Sequence, residues 1–164
     1  MMKEPLFCKE KLLSLVAQYS EKFELSKTVG PDYYEPGMME NLNQYKGAYD
    51  EQAKLITVCC ESKGLRYDNR TSNLEAVSVG DVVRIVRDHG NSFNSNNFSI
   101  NSETGASLGY LPAELCNVLA PLYDVGCAEV ISAVVSYVEK IGQRSRYAKQ
   151  GILFVEVVVK LRGI

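Results

Sequence analysis

Residues 87–112 read RDHGNSFNSNNFSINSETGASLGYLP. An Arg-Asp pair ends an apolar run, a polar turn at 89–97 follows, and a hairpin leads into Gly-Tyr-Leu-Pro. The turn carries four asparagines around one aromatic residue, Phe93, and asparagine suits turns because its amide bonds to nearby backbone. The stretch therefore predicts a short β-meander entered through a long polar loop. Phe93 is either a plug beneath this loop or a contact for a ligand.

Segments on both sides of this stretch complete a mostly β fold. Residues 54–60 and 82–86 have the composition of strands, and residues 127–140 and 152–161 form two longer runs of the same kind. About six strands with short turns and one intervening helix indicate an α+β protein built on a small, mostly antiparallel β-barrel.

The intervening helix is predicted directly after the meander. Pro112 suits its first position, where the missing N–H would have no partner in any case. Apolar residues then recur at helical spacing: Leu115, Val118, Leu119 and Leu122. The helix is expected to end near Gly126.

The chain before the strands predicts a separate N-terminal element. Apolar residues recur every three or four positions in residues 6–23, which is the pattern of an amphipathic helix: Leu12, Leu13, Val16, Ala17, Tyr19 and Phe23. Residues 28–47 combine Gly-Pro and Pro-Gly pairs with tyrosines and methionines, a composition typical of ordered loop. We therefore expect residues 1–50 to form a helix and an arm packed on a domain of residues 51–164.

The composition limits the possible partners. Lys and Arg number 18 against 20 Asp and Glu, so the net charge is −2 and any attraction to nucleic acid must be local. Five cysteines without a C-x-x-C pair and a single histidine predict buried free thiols in a reducing compartment and no zinc site. No stretch approaches the roughly 18 apolar residues of a membrane span, and the N-terminus lacks a signal-peptide pattern. We expect a cytoplasmic protein that has no membrane partner.

Four short motifs follow one another along the chain. They are GLRYD at 64–68, VGDVVRIVRD at 79–88, NSFNSN at 91–96 and G-x-x-x-G-Y-L-P at 105–112. In this order they resemble the HIRAN domain family over roughly residues 53–140. The resemblance implies an OB-like antiparallel barrel with short helices, and a pocket for the 3′ end of single-stranded DNA.

The resemblance also implies roles for particular residues. Tyr67 is expected to stack on a base beside Arg66, and Phe93 with Asn94 to hold the terminal nucleotide and its 3′-hydroxyl. The family has tyrosine and aspartate where this chain has Phe93 and Asn94, so stacking is expected with weaker contact to the hydroxyl. Tyr110, in the last motif, is included among the predicted nucleic-acid contacts.

The connection between the last two predicted strands is basic. Residues 140–149 hold four positive charges and no acidic residue: Lys140, Arg144, Arg146 and Lys149. The last three are predicted, with Arg87, to follow a nucleic-acid backbone, although a solvated tip is the alternative. Two further alternatives stay open at this point. Tyr67 is a stacking platform or a half-buried barrel residue, and Arg87 with Asp88 is a ligand contact or an internal ion pair.

The sequence contains no arrangement typical of an enzyme. His89 has no Ser or Cys partner nearby, and no Gly-rich phosphate loop, metal-ligand cluster or helicase motif is present, so we expect no catalysis and no cofactor. We expect a nucleic-acid-binding module for single-stranded DNA or DNA 3′ ends, acting in DNA repair with a separate helicase or nuclease in trans. The alternative is a protein-interaction or assembly domain that has lost the DNA pocket and uses residues 33–39 as its contact surface. The sequence makes no prediction of oligomeric state.

Overall fold

The computed structural model of the chain describes residues 46–50, 52–92, 94–145 and 147–162. The predicted N-terminal helix at 6–23 and most of the predicted arm lie outside the described residues. Its packing on the domain therefore stays a prediction.

Seven strands and two helices make up the described fold. The strands are β1 (Lys46–Asp50), β2 (Leu55–Glu61), β3 (Val83–Asp88), β4 (Asn97–Ser102), β5 (Ser107–Tyr110), β6 (Ala128–Glu139) and β7 (Ile152–Leu161). The helices are α1 (Arg70–Asn73) and α2 (Ala113–Asp124), with 3-10 turns at Leu74–Ala76 and Ile141–Gln143.

The strands form two antiparallel sheets, one in the order β1-β2-β7-β6 and the other in the order β3-β4-β5. Single bridges join the sheets at both edges. Lys63, after β2, pairs with Tyr110, and Val82, before β3, pairs with Val134. Strands β2 to β7 therefore follow one another in a ring, β2-β7-β6-β3-β4-β5. The predicted mostly β, antiparallel, OB-like fold with few short helices is confirmed.

The core lies inside this ring. Alternate residues of β2 and β7 are buried, as a strand with one inward face requires. Phe98 and Ile100 of β4 are fully buried, and Tyr123 of α2 meets the Phe98 ring edge-on at a centroid distance of 5.3 Å. The predicted helix is present as α2, which begins at Ala113 because Pro112 has an extended ψ of 143°.

Two elements differ from the sequence prediction. Residues 46–50, which we assigned to the N-terminal arm, pair with β2 as the edge strand β1. The segment 69–78, in which the sequence patterns predict no helix or strand, contains α1 and the 3-10 turn at Leu74–Ala76. Both are short and depend on tertiary partners, so neither has a detectable period in the sequence.

The described cysteines are free thiols, and Cys60, Cys116 and Cys127 are buried. Removal from water disfavours the thiolate, which raises the pKa of Cys116 to about 12 and also raises the pKa of Cys60. No group of three or more His, Cys, Asp or Glu within the described ranges could hold a metal ion. None of the helices in those ranges is long and apolar enough to span a membrane.

Candidate nucleic-acid interface

The outer face of the β3-β4-β5 sheet is polar. One row across it consists of Val86, Ser99 and Tyr110, and the next consists of Arg84, Asn101 and Ser107. Neighbours in such a row have Cβ atoms about 5 Å apart, so the hydroxyl, amide and guanidinium groups form a continuous surface. Arg84 is exposed and forms no ion pair with any described residue.

The loop at 64–69, between β2 and α1, lies beside this face and has an unusual backbone. Gly64, Asp68 and Asn69 have positive φ values of 78°, 56° and 61°. Glycine adopts this region freely, whereas Asp and Asn adopt it at some cost that the surrounding contacts must offset. A loop held in this way presents its side chains in one fixed arrangement.

Arg70, the first residue of α1, holds the loop from beneath. Its side chain is 6% exposed, and it donates to the carbonyl of Gly64 at 2.9 Å, to Ser107 Oγ at 2.9 Å and to Tyr110 OH at 3.2 Å. It also approaches the Asp68 carboxylate to 3.2 Å and lies over the Tyr110 ring, 4.7 Å from its centroid. Arg70 was not among the residues predicted from the sequence, because only the fold brings β5 and the loop to its guanidinium.

The tip of the loop carries Arg66 and Tyr67. Tyr67 is 54% exposed, the Arg66 guanidinium carbon lies 5.0 Å from the centroid of its ring, and Arg66 Nη2 donates to the Tyr67 hydroxyl at 2.8 Å. Tyr67 is therefore an exposed loop residue and not a half-buried residue of the barrel. An aromatic ring and a cation are thus presented together to solvent.

Tyr110 lies between the loop and the sheet. Its ring is half-buried under Arg70, and its backbone pairs with Lys63 in both directions at 2.9 and 3.0 Å. The hydroxyl of Tyr110 accepts from Arg70, so this residue links the loop to β5.

The basic connection between β6 and β7 packs near the C-terminal end of the segment 70–76, whose first residue, Arg70, holds the loop. Lys140 Nζ donates to the Glu75 carbonyl at 2.8 Å, and a Cβ added at Gly151 would lie 2.5 Å from Leu74. The seven residues from Arg70 to Ala76 span roughly 12 Å at the usual helical rises. The loop and the connection therefore flank one short segment.

The cations of this connection differ in their surroundings. Arg144 is partly occupied, since it donates to the Gln150 carbonyl at 2.6 Å and lies 4.0 Å from Glu139. Lys149 is exposed and has no ion-pair partner in the part of the chain that the structure describes, while Arg146 lies outside that part. Tyr147, which the sequence analysis did not single out, is 75% exposed beside them. The sequence signal that could have identified Tyr147 is its position between Arg146 and Lys149 in the predicted hairpin connection.

Arg87 is placed differently from the prediction that grouped it with the nucleic-acid contacts. Its side chain is 7% exposed and forms two parallel bonds to the Asp124 carboxylate at 2.9 and 3.0 Å. A third nitrogen donates to the carbonyls of Ser95 and Asn97 at 2.6 and 3.1 Å. Arg87 thus forms an internal ion pair, with Asp124 rather than with its neighbour Asp88.

Asn94 is buried within the polar loop, and Phe93 lies outside the described residues. The Asn94 amide oxygen accepts from the Asn96 backbone N–H at 2.9 Å, and its Nδ2 donates to Asn117 Oδ1 at 3.2 Å. Asn96 donates to the same Asn117 oxygen at 3.3 Å. The amide of Asn94 therefore ties this loop to α2.

Comparison with known proteins identifies a matching family and similar structures. The HIRAN domain family model matches residues 57–155, more than half of the chain. A crystal structure of a protein from Lactobacillus plantarum is 24% identical, with 61% of this chain and 90% of that chain covered and a TM-score of 0.48. The crystal structure of the HIRAN domain of human HLTF is 21% identical, with 65% and 77% covered and a TM-score of 0.48. No curated protein matches the sequence.

Proposed function

Because the chain belongs to the HIRAN domain family, a family of nucleic-acid-binding modules, we propose that it binds single-stranded DNA, or the 3′ ends of DNA, without catalysing a reaction. The observation that carries the proposal is the exposed pair Arg66 and Tyr67 on a loop that Arg70 holds in place. A stacking surface beside a cation is what single-strand binding needs, since every base offers a π face and every nucleotide a phosphate.

In this proposal Tyr67 stacks on one base and Arg66 contacts the adjacent phosphate. The 54% exposure of Tyr67 leaves room for a base on the ring face away from Arg66. Arg70 already uses its donors on protein acceptors, so it fixes the loop and does not contact the ligand. A fixed loop loses little conformational entropy on binding, which favours affinity.

In this proposal the bound DNA strand continues past the segment from Arg70 to Ala76 toward the β6–β7 connection. The intervening segment from Arg70 to Ala76 is only roughly 12 Å long at the usual helical rises, so we expect one bound DNA strand to reach both sites. Lys149, Arg144 and Arg146 would neutralise phosphates there, and Tyr147 offers a second aromatic surface. This arrangement supplies the local positive charge that a protein of net charge −2 requires.

Recognition of a free 3′-hydroxyl would depend on Phe93 and Asn94. The side-chain amide oxygen of Asn94 accepts from Asn96 within the loop, its amide nitrogen donates to Asn117 of α2, and the residue is 4% exposed. Contact with a terminal hydroxyl would therefore require the loop to open or the oxygen to share its second lone pair. We propose that the native protein binds single strands with poor discrimination between a 3′-hydroxyl and a 3′-phosphate.

The chain would deliver this binding to a separate DNA-processing enzyme, a helicase or nuclease acting in trans. The internal use of Asn94 is the observation that favours the second candidate, an assembly domain without a DNA pocket. In that case the residues at 33–39, which lie outside the described part of the chain, would form the contact surface.

Fluorescence anisotropy of labelled oligonucleotides separates the two candidates. We would compare single strands with free and blocked 3′ ends against a matched duplex, at low and moderate salt. Binding to single strands that is stronger than to the duplex supports the proposal. If no single strand binds at low salt, the assembly domain takes its place.

A further inference from the structure

The outer face of the other sheet has a different composition. Its central strand β7 reads ILFVEVVVKL and is apolar everywhere except Glu156 and Lys160. An antiparallel strand with one solvated face alternates between apolar and polar residues, whereas a nearly continuous apolar run is typical of strands covered on both faces. The inner face of β7 is already covered by the core.

The neighbouring strands add one aromatic ring and several polar side chains to this outer face, since Val158 lies opposite Ser132 and Phe154 opposite Glu61. Val158 also lies opposite Thr57 of β2, and Phe154 lies opposite Tyr137 of β6, whose ring meets it edge-on at 6.1 Å. Phe154 and Val158 are half-buried, and Tyr137 is 46% exposed. Together with Leu55 they form a strip, here named the β7 outer face, that remains only partly covered by its own neighbours.

The β7 outer face is separate from the candidate nucleic-acid interface. That interface combines the loop at 64–69 and the polar outer face of the β3-β4-β5 sheet with the basic connection between β6 and β7. Among its described residues, only the connection approaches the β7 outer face, where Tyr137 donates to Glu139 and Arg144 lies 4.0 Å from the same carboxylate. The two sheets are joined through the bridges at Lys63 and Val82 and through the bond from Ser62 Oγ to the Leu108 carbonyl. A nucleic acid bound on the loop at 64–69 would therefore not cover Leu55 and Val158 on the other sheet.

We propose that residues 6–23 of the same chain dock on the β7 outer face as an amphipathic helix. These residues carry an apolar stripe that needs a partner, and the 45 residues before β1 lead directly into the edge strand of this sheet. An 18-residue helix is about 27 Å long. Four strands spaced about 4.8 Å apart span roughly 15 Å, so the helix can cross the whole sheet.

The charges of the two surfaces are complementary. Glu156 is exposed in the middle of the β7 outer face, opposite Cys59 on one side and Val134 on the other. The polar side of segment 6–23 carries Lys9, Lys11 and Lys22 with Glu21, and with Glu10 the segment has a net charge of +1. A lysine at the rim of the docked helix would place its ammonium group near the Glu156 carboxylate.

A single tryptophan tests the docking, because the native chain contains none. Tyr19→Trp in the full chain places a reporter on the apolar stripe. We expect a blue-shifted emission and weaker quenching by acrylamide than for a free tryptophan derivative. Adding Val158→Glu should raise the quenching to the level of an exposed indole, and Thr57→Glu, a milder change on the adjacent strand, should raise it in the same direction.

Val86→Glu is the matched control, since Val86 is 45% exposed on the outer face of the other sheet. It should leave the quenching unchanged, and circular dichroism would establish that each variant keeps its strands. The proposal is overturned if the tryptophan of Tyr19→Trp is freely quenched, or if Val158→Glu and Thr57→Glu have no more effect than Val86→Glu. Shielding that increases with protein concentration would also overturn it, because a second copy would then cover the face.

Discussion

The guanidinium of Arg87, at the end of β3, forms two parallel bonds to the carboxylate of Asp124, at the end of α2, at 2.9 and 3.0 Å. The same side chain lies over the Phe98 ring, 5.4 Å from its centroid, and caps the carbonyls of Ser95 and Asn97. One arginine thus joins the meander, the polar loop and the helix. The positive charge of Arg87 therefore stabilises the fold.

We therefore predict that Arg87→Met lowers the free energy of unfolding by roughly 3–5 kcal/mol, because the 15% exposed Asp124 carboxylate loses both bonds to the guanidinium and keeps, among the described residues, only His89 at 3.8 Å. Urea denaturation measures the loss. Arg84→Met, on the same strand but exposed, is the matched control and should cost little. The double variant Arg87→Met with Asp124→Leu should recover much of the loss, since no buried charge then remains. Equal losses for Arg87→Met and Arg84→Met would contradict the assignment.

Arg66 and Arg70 give a second matched pair, one exposed and one buried. Arg70→Met should cost about 2–3 kcal/mol of stability, because the Gly64 carbonyl and the Ser107 and Tyr110 hydroxyls lose a charged donor. Arg66→Met should leave the unfolding midpoint nearly unchanged and weaken single-strand binding. The opposite pattern, with Arg66 affecting stability and Arg70 not, would reverse the two roles.

Tyr67 should contribute a stacking term to nucleic-acid binding. Replacing it by Ala is expected to weaken single-strand binding by about 1–3 kcal/mol, the usual value of one stacked base. Tyr137→Ala is the control, since Tyr137 has a similar exposure of 46% but lies on the other sheet. Anisotropy titrations of both variants decide the matter, and an affinity for Tyr67→Ala equal to that of Tyr137→Ala would remove the loop from the interface.

The cations of the connection between β6 and β7 should contribute to binding through their charge. Changing Arg144, Arg146 and Lys149 to Gln is predicted to weaken binding to all sequences alike and to flatten the salt dependence by roughly 0.7 units of slope per lost phosphate contact. Lys160→Gln, on the β7 outer face, removes a charge without touching the connection. An unaltered slope in the triple variant would identify the connection as a solvated tip.

The longer elements of the fold were predictable from the sequence because each carries its own pattern. β2, β3, β6 and β7 lie within a residue or two of the predicted runs, and α2 follows the Pro112 signal. The bridges that join the two sheets, by contrast, pair single residues far apart in sequence. No local pattern records such contacts, so the ring could be expected only from the strand count and the family resemblance.

The exposed residues of the candidate site could be predicted from the sequence, whereas the roles of the buried polar residues could not. The sequence brought Arg66 and Tyr67 forward as a pair, and the structure places them together at a loop tip. The sequence could not distinguish the exposed Arg66 from the buried Arg70 and Arg87. Whether a guanidinium is bonded inside the protein depends on carboxylates and carbonyls that only the fold brings near it. Asn94 illustrates the same limit, since its partner Asn117 lies on α2.

Asn94 supports the last prediction, which concerns the DNA end. Its amide oxygen could accept a bond from a 3′-hydroxyl, but without the charge of a carboxylate, which roughly doubles the strength of such a bond. We predict that Asn94→Asp sharpens the preference for a 3′-hydroxyl and repels a 3′-phosphate. The comparison is made by anisotropy with two strands that differ only at this terminus.

The same change should also have a cost that the structure defines. A carboxylate cannot donate to Asn117 Oδ1 as the Asn94 amide does, so Asn94→Asp should lower the free energy of unfolding by about 1–3 kcal/mol. Asn117→Ala is the control, because it breaks the same bond without adding charge near the predicted terminus. If both variants change the hydroxyl preference equally, loop distortion is the cause. If Asn94→Asp alone changes it, the residue lies within reach of the strand end.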